Sequence, residues 1–149
     1  MLFFVATLSS LFFTRLNPTT RLEVSSVNDR LSQYSEAQKI IFQHFWFGVG
    51  PGNYSAYLVK VHPTLEVWEI QPVHNIFLLE MAEMGVLFSV FHSLLFLFLI
   101  FFVWKKTPYY LPVIVTLLFT GLFDHWGWSL YGGQLLWGAV FGMVLVKQK

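Results

Sequence analysis

The 149-residue sequence contains no cysteine, which excludes disulfides, thiolate nucleophiles and sulfur-ligated metals and leaves the compartment open on that criterion. Charge is scarce as well. Asp, Glu, Lys and Arg make up 11% of the chain and the formal net charge is +1, so nothing points to a nucleic-acid partner. The spacings of common phosphate and metal sites are also missing. FGVGPGNY (47–54) fits neither G-x-x-x-x-G-K-[ST] nor G-x-G-x-x-G, and no strand precedes it. It reads as a tight turn after a helix, with Pro51 and Gly52 at its centre and Asn53 tolerating the unusual backbone angles. No H-E-x-x-H or similar ligand spacing occurs, so no metal and no cofactor is expected.

What the chain has in excess is apolar surface. It is 56% hydrophobic, with seventeen Phe and six Trp, and its mean hydropathy is +0.60. A soluble fold of this length has no single core able to bury so many large side chains, and the composition belongs in a bilayer. The segment MGVLFSVFHSLLFLFLIFFVW (84–104) holds no Asp, Glu, Lys or Arg. As a helix it is about 31 Å long at ~1.5 Å per residue, enough to span a membrane. Lys105 and Lys106 follow, with Trp104, Tyr109 and Tyr110 as interfacial aromatics. Further apolar stretches cover 109–124 and 130–146, the last ending at Lys147 and Lys149. The first stretch, MLFFVATLSSLFF, is roughly 20 Å of helix, short for a bilayer. It has no basic n-region or cleavage site of a signal peptide, and reads as a partial span in the C-terminal part of a larger protein.

The expected fold is therefore all-α, a single polytopic membrane domain over 1–149 with about four transmembrane helices: 1–14 (partial), 76–104, 109–124 and 130–146. Placing the four lysines at 105, 106, 147 and 149 inside puts DHWGWS (124–129), which has no Lys or Arg, outside. His74, Glu80 and Glu83 then face outward too, and residues 15–75 form a long external loop. Within that loop a helix is expected over about 28–46. Ser26 and Asp29 resemble a capping box, Leu31, Tyr34, Ile41, Phe42 and Phe45 mark an apolar face, and Gly48 ends it. Such a helix either lies on the membrane surface or lids the bundle.

Several polar residues have both a plain and a functional reading. Asn75 is placed to cap the helix beginning at Ile76. His74 stands just before it, suited to interfacial packing or to taking a proton near neutral pH. Arg30 either forms a solvated pair with Asp29 or grips phosphate oxygens bidentately. Arg15 and Arg21 share its interval. His92, near the middle of the long apolar segment, is expected to make an interhelical hydrogen bond rather than do chemistry. Asp124 and His125 fall level with His74, in what is otherwise an exposed turn.

In order, these pieces are S-x-x-D-R (Ser26–Arg30), WFGVGPGNY (46–54), nineteen further residues, His74–Asn75, an apolar helix with Glu80, Glu83 and Gly85, then GLFDHW and GGQLLW. The pattern resembles the C-terminal part of the O-antigen ligase and O-antigen polymerase family of bacterial membrane glycosyltransferases, from about Ser25 to Met143. The resemblance implies transfer of a glycan from an undecaprenyl-diphosphate carrier to an acceptor hydroxyl on a glycan or lipid-linked acceptor. Transfer would invert the anomeric carbon, need no metal, and occur at the outer face of the bacterial cytoplasmic membrane. It further implies Arg30 and His74 as the catalytic pair, with Arg15, Arg21 and Asn75 binding substrate. Chemically, a diphosphate leaving group asks the protein to neutralise developing charge and remove a hydroxyl proton, which suits Arg30 and His74 respectively. The competing expectation is a non-catalytic membrane module, a transporter or assembly subunit, whose arginines bind lipid headgroups. A transporter calls for broken helices and midplane charges, and beyond His92 and the glycines of the last helix the sequence offers none.

Overall fold

The structure, a computed structural model, describes residues 21–146. The expected partial span at 1–14, Arg15, Lys147 and Lys149 lie outside the described residues. Those described are all-helical, with no strand among them. The chain divides into two compact units, residues 1–32 and 33–149.

The described part of the first unit is the opening of helix α1 (Arg21–Gln43). The helix already runs at Arg21, so Ser26 and Asp29 are interior residues and not its cap. Residues 24–32 are exposed, and there short polar side chains cost a helix little because they turn to solvent or back onto the turn before them. Ser32 does the latter, donating its hydroxyl to the Asp29 carbonyl at 2.8 Å.

In the second unit α1 buries Ala37, Ile40 and Ile41, with Tyr34 partly covered, the 3–4 spacing of one helical face. Of the expected apolar face, Tyr34 and Ile41 lie on this core, whereas Leu31 and Phe42 are 59% and 78% exposed. α1 ends at Gln43, and the chain turns through His44–Phe47 before Gly48. Helix α2 (Tyr54–Val61) buries Tyr54 and Leu58 on the same core, which Val73, Leu79 and Ala82 complete. Asn53 is an ordinary residue at φ −98°, and the positive φ of this turn falls on the glycines.

Helix α3 (Ile76–Lys106) begins at an Asn75 cap, whose Oδ1 accepts from the amides of Phe77 and Leu78 at 3.0 Å each. It is not one rod. Gly85 has φ 75° and ψ 173°, which breaks the helix. A break in a helix orphans backbone groups that must find partners elsewhere. The glycine turn supplies them: Val49 N–H donates to Ala82 C=O at 2.9 Å, Gly50 N–H to Glu83 C=O at 2.8 Å, and Val86 N–H donates to Phe45 C=O at 2.8 Å. The two backbones pass so closely that a Cβ on Gly48 would stand 2.3 Å from the Glu83 carbonyl, and one on Gly85 would stand 2.3 Å from the Trp46 oxygen. FGVGPGN is thus a clasp on a broken helix. A Pro51–Gly52 turn, closed by Asn53 N–H donating to Gly50 C=O at 3.2 Å, leads into α2.

After α3 come a 3-10 turn (Pro108–Tyr110), α4 (Leu111–Gly121), the short α5 (Trp126–Ser129) and α6 (Tyr131–Leu145). Val103, Ile114, Val140 and Val144 form a second core at the lysine-bearing end of α3. One described helix, α3, is long and apolar enough to cross a membrane. The expectation of full spans at 109–124 and 130–146 is corrected. α4 has 11 residues and α6 has 15, against the about 20 a ~30 Å hydrocarbon layer requires. The expected span at 76–104 falls on α3, which carries the break at Gly85 within it.

Candidate functional site

The Asn75 cap fixes where the chain enters α3 and so positions His74, half-buried, just before it. The Asn75 amide also donates to the Leu122 carbonyl at 3.1 Å, tying the start of α3 to the end of α4. From α1, Gln33 Oε1 lies 2.7 Å from His74 Nδ1, and the Tyr34 hydroxyl reaches the His74 carbonyl at 3.5 Å. A carboxamide oxygen only accepts, so Nδ1 is the donor of this bond and Nε2 is left out of it. This is the arrangement a neutral base needs, with one nitrogen held and the other open.

The turn before α5 brings a second imidazole. The rings of His74 and His125 stand edge to face, with centroids 5.3 Å apart. Asp124 Oδ1 accepts from the His125 backbone N–H at 2.6 Å. His125 Nδ1 meets Ser129 Oγ at 2.5 Å, and that hydroxyl donates to the His125 carbonyl at 3.1 Å. Burial holds the His125 pKa below the ordinary imidazole value; Asp124 opposes the shift and His74 adds to it. With the two rings in contact, a positive charge on one ring opposes a positive charge on the other.

The residues expected to act are unequally placed. His74 and Asn75 sit together with Gln33, His125 and Ser129 in the second unit. Arg30 is an exposed residue of the first unit, Arg21 begins α1, and Arg15 lies outside the described residues. Gln33 and Ser129 were not singled out from the sequence, and Tyr34 stood out only as part of the apolar face of α1. Gln33 is separated from His74 by 41 positions, and no local pattern links them.

An interhelical bond was expected of His92, but among the described residues its hydrogen bond runs within α3. Its Nδ1 lies 2.8 Å from Glu80 Oε1 on the same α3. In an unbroken helix residues twelve apart would be about 18 Å apart along the axis, so the break at Gly85 is what brings them together. Phe96, Phe88 and Trp128 surround the His92 ring, the nearest centroid at 4.6 Å. Glu83 is also buried, accepting from Tyr54 N–H at 3.3 Å and from Trp128 Nε1–H at 2.9 Å. A broken helix and buried carboxyl groups, which the sequence does not announce, are thus present.

Two cavities flank Trp128. One, about 480 Å³, is walled by aromatic side chains with the Glu80–His92 pair at its edge. The other, about 550 Å³, is mixed in character and touches Glu83, Ser55, Ser129 and Gln134. Among the described residues no three His, Asp or Glu side chains converge as metal ligands. Comparison with protein-family models, curated proteins and solved structures gives no match to this chain.

Proposed function

We propose that the protein is a multi-pass glycosyltransferase of the bacterial cytoplasmic membrane, similar to O-antigen ligases and polymerases. It transfers a glycan from undecaprenyl diphosphate to an acceptor hydroxyl at the outer face. The observation that carries the reading is the His74 imidazole, held at Nδ1 by Gln33 and with Nε2 unbonded among the described residues. In this mechanism Nε2 removes the acceptor proton as the hydroxyl oxygen attacks the anomeric carbon from the face opposite the diphosphate. The bond from that carbon to the diphosphate oxygen breaks, and Arg30 neutralises the departing diphosphate, with Arg15 and Arg21 as further cationic partners. His125, kept neutral, lets His74 take the proton without like-charge opposition.

Membrane insertion is supported by the surface of α3. Past the break, Phe91, Leu94, Leu97 and Phe98 are 60–65% exposed, an apolar face that only lipid or a partner covers. In this reading the shorter apolar helices α4 and α6, too short to cross alone, enter the bilayer beside α3.

The broken helix and the Glu80–His92 pair favour a second reading, a non-catalytic transporter subunit. Against it stands the use made of the break. A transporting break turns its free backbone groups on the cargo, whereas Ala82 C=O, Glu83 C=O and Val86 N–H are all taken by the glycine turn. The test is His74→Ala assayed for glycan transfer from the lipid-linked donor in native membranes. Loss of about 10²–10⁴-fold at normal protein level is expected of a general base. Undiminished transfer removes the catalytic assignment.

A further inference from the structure

The 550 Å³ cavity beside Trp128 is not used by the residues assigned above, although it adjoins them. Its wall includes Ser129, whose hydroxyl meets the His125 ring, and Pro72, two positions before His74. Its size falls within the roughly 300–1,000 Å³ range of small-molecule sites. The lining is unusual in having a carboxylate only 4% exposed at the wall of an open cavity. Glu83 accepts one bond at each oxygen, from Tyr54 N–H and Trp128 Nε1–H. A carboxylate offers about four acceptor sites, so roughly two remain for donors from the cavity. Acceptor sites open at a cavity wall suit a ligand rich in O–H groups.

The other walls narrow the class. Ser55, Ser129 and Gln134 add hydroxyl and amide partners, while Trp128, Leu79, Pro51 and Pro72 add apolar area. A ligand fitting this wall has one edge of vicinal hydroxyls and one face of C–H groups, which describes a pyranose ring. We infer that the cavity bounded by Glu83, Trp128, Ser55, Ser129 and Gln134 binds a pyranose unit of the acceptor glycan and presents its hydroxyl to the His74–His125 pair. The inference rests on the transfer reading and adds an acceptor subsite to it.

The first test needs no turnover. Purified protein in a sugar-free detergent is titrated with methyl β-D-glucopyranoside, with sorbitol as an open-chain polyol control, and saturation transfer to the ligand is read by NMR. Saturable transfer to the glucoside in the millimolar range and none to sorbitol is expected. No transfer up to about 100 mM, or equal transfer to both, overturns the proposal. Ser55→Trp, which fills the cavity from α2, should abolish the glucoside signal, and retention of the signal also overturns it. Should that variant fail to fold, the wild-type comparison still decides. In the transfer assay Ser55→Trp should raise the acceptor KM at least tenfold with the donor KM unchanged; a rise in donor KM instead assigns the cavity to the donor sugar and ends the acceptor claim. Glucoside binding together with full transfer by His74→Ala would remove the transfer reading and leave the cavity standing. Absent binding with transfer lost in His74→Ala would do the reverse.

Discussion

At the scale of single residues, the proposed proton transfer rests on His74 and its neighbours. Under the transfer proposal Gln33 is a positioning residue, since its contact is with Nδ1 of His74 and not with Nε2. Gln33→Leu removes an uncharged hydrogen bond worth about 1 kcal/mol and should lower kcat about fivefold with KM little changed. Gln33→Glu places a negative charge there and favours the imidazolium, so the acidic limb of the pH–rate profile should move up by about one unit. A purely structural Gln33 would leave that limb in place. His125 gives a stability prediction. Its folded pKa lies below the ordinary value of 6.5, so the unfolded chain binds the proton first as pH falls. Its contribution to stability is thus complete above pH 6.5 and declines as pH drops below it. Thermal melting at pH 7.5 and 5.5 should show a drop that His125→Gln reduces. The Asn75 cap and the position of His74 were legible because a cap is a local device, readable from neighbouring residues. Gln33 was not, because a pairing across 41 positions leaves no local trace.

At the scale of elements, the deciding feature is the clasp between the glycine turn and the break in α3. Gly48 and Gly85 each combine positive φ with backbone 2.3 Å from any added Cβ. The backbone conformation alone costs a non-glycine residue about 1–3 kcal/mol, and the clash adds to it. Gly48→Ala and Gly85→Ala should each lower the melting temperature sharply or prevent accumulation in the membrane. Gly138→Ala, in α6 with open space around it, should be neutral or stabilising by about 0.5–1 kcal/mol. Equal behaviour of the three variants would refute the clasp. The sequence identified the turn and the glycines, and even the long apolar segment, but not that one closes a gap in the other. A lone Gly after EMAEM is compatible with an intact helix, and only the facing turn reveals the break. The capping box at Ser26–Asp29 failed for the opposite reason: its signal is local and weak, and an exposed helix runs through it at little cost.

At the scale of the whole molecule, the lack of cysteine makes topology directly testable. Every introduced cysteine is the only thiol in the chain. Glu66→Cys, in the turn-rich stretch after α2, should react with a membrane-impermeant maleimide in intact cells. Lys106→Cys, at the far end of α3, should react only after the membrane is opened. Labelling of both from outside would remove the spanning role of α3 and the outward position of His74 with it. All-helical architecture was legible from composition and periodicity. The number of full spans was not, because apolar stretches at 109–124 and 130–146 look continuous in sequence, whereas the helices they form are only 11 and 15 residues long.

The clasp also bears on how the protein is made. The two carbonyls and one amide freed at Gly85 find partners only in residues 45–50, a segment synthesised before α3 begins. As the ribosome releases the apolar segment, its receptor is already waiting upstream, and capture there spares the half-formed helix from carrying naked peptide groups. Moving that stretch downstream of α3, as a circular permutation would, leaves the gap open during insertion, when nothing in hydrocarbon can fill it.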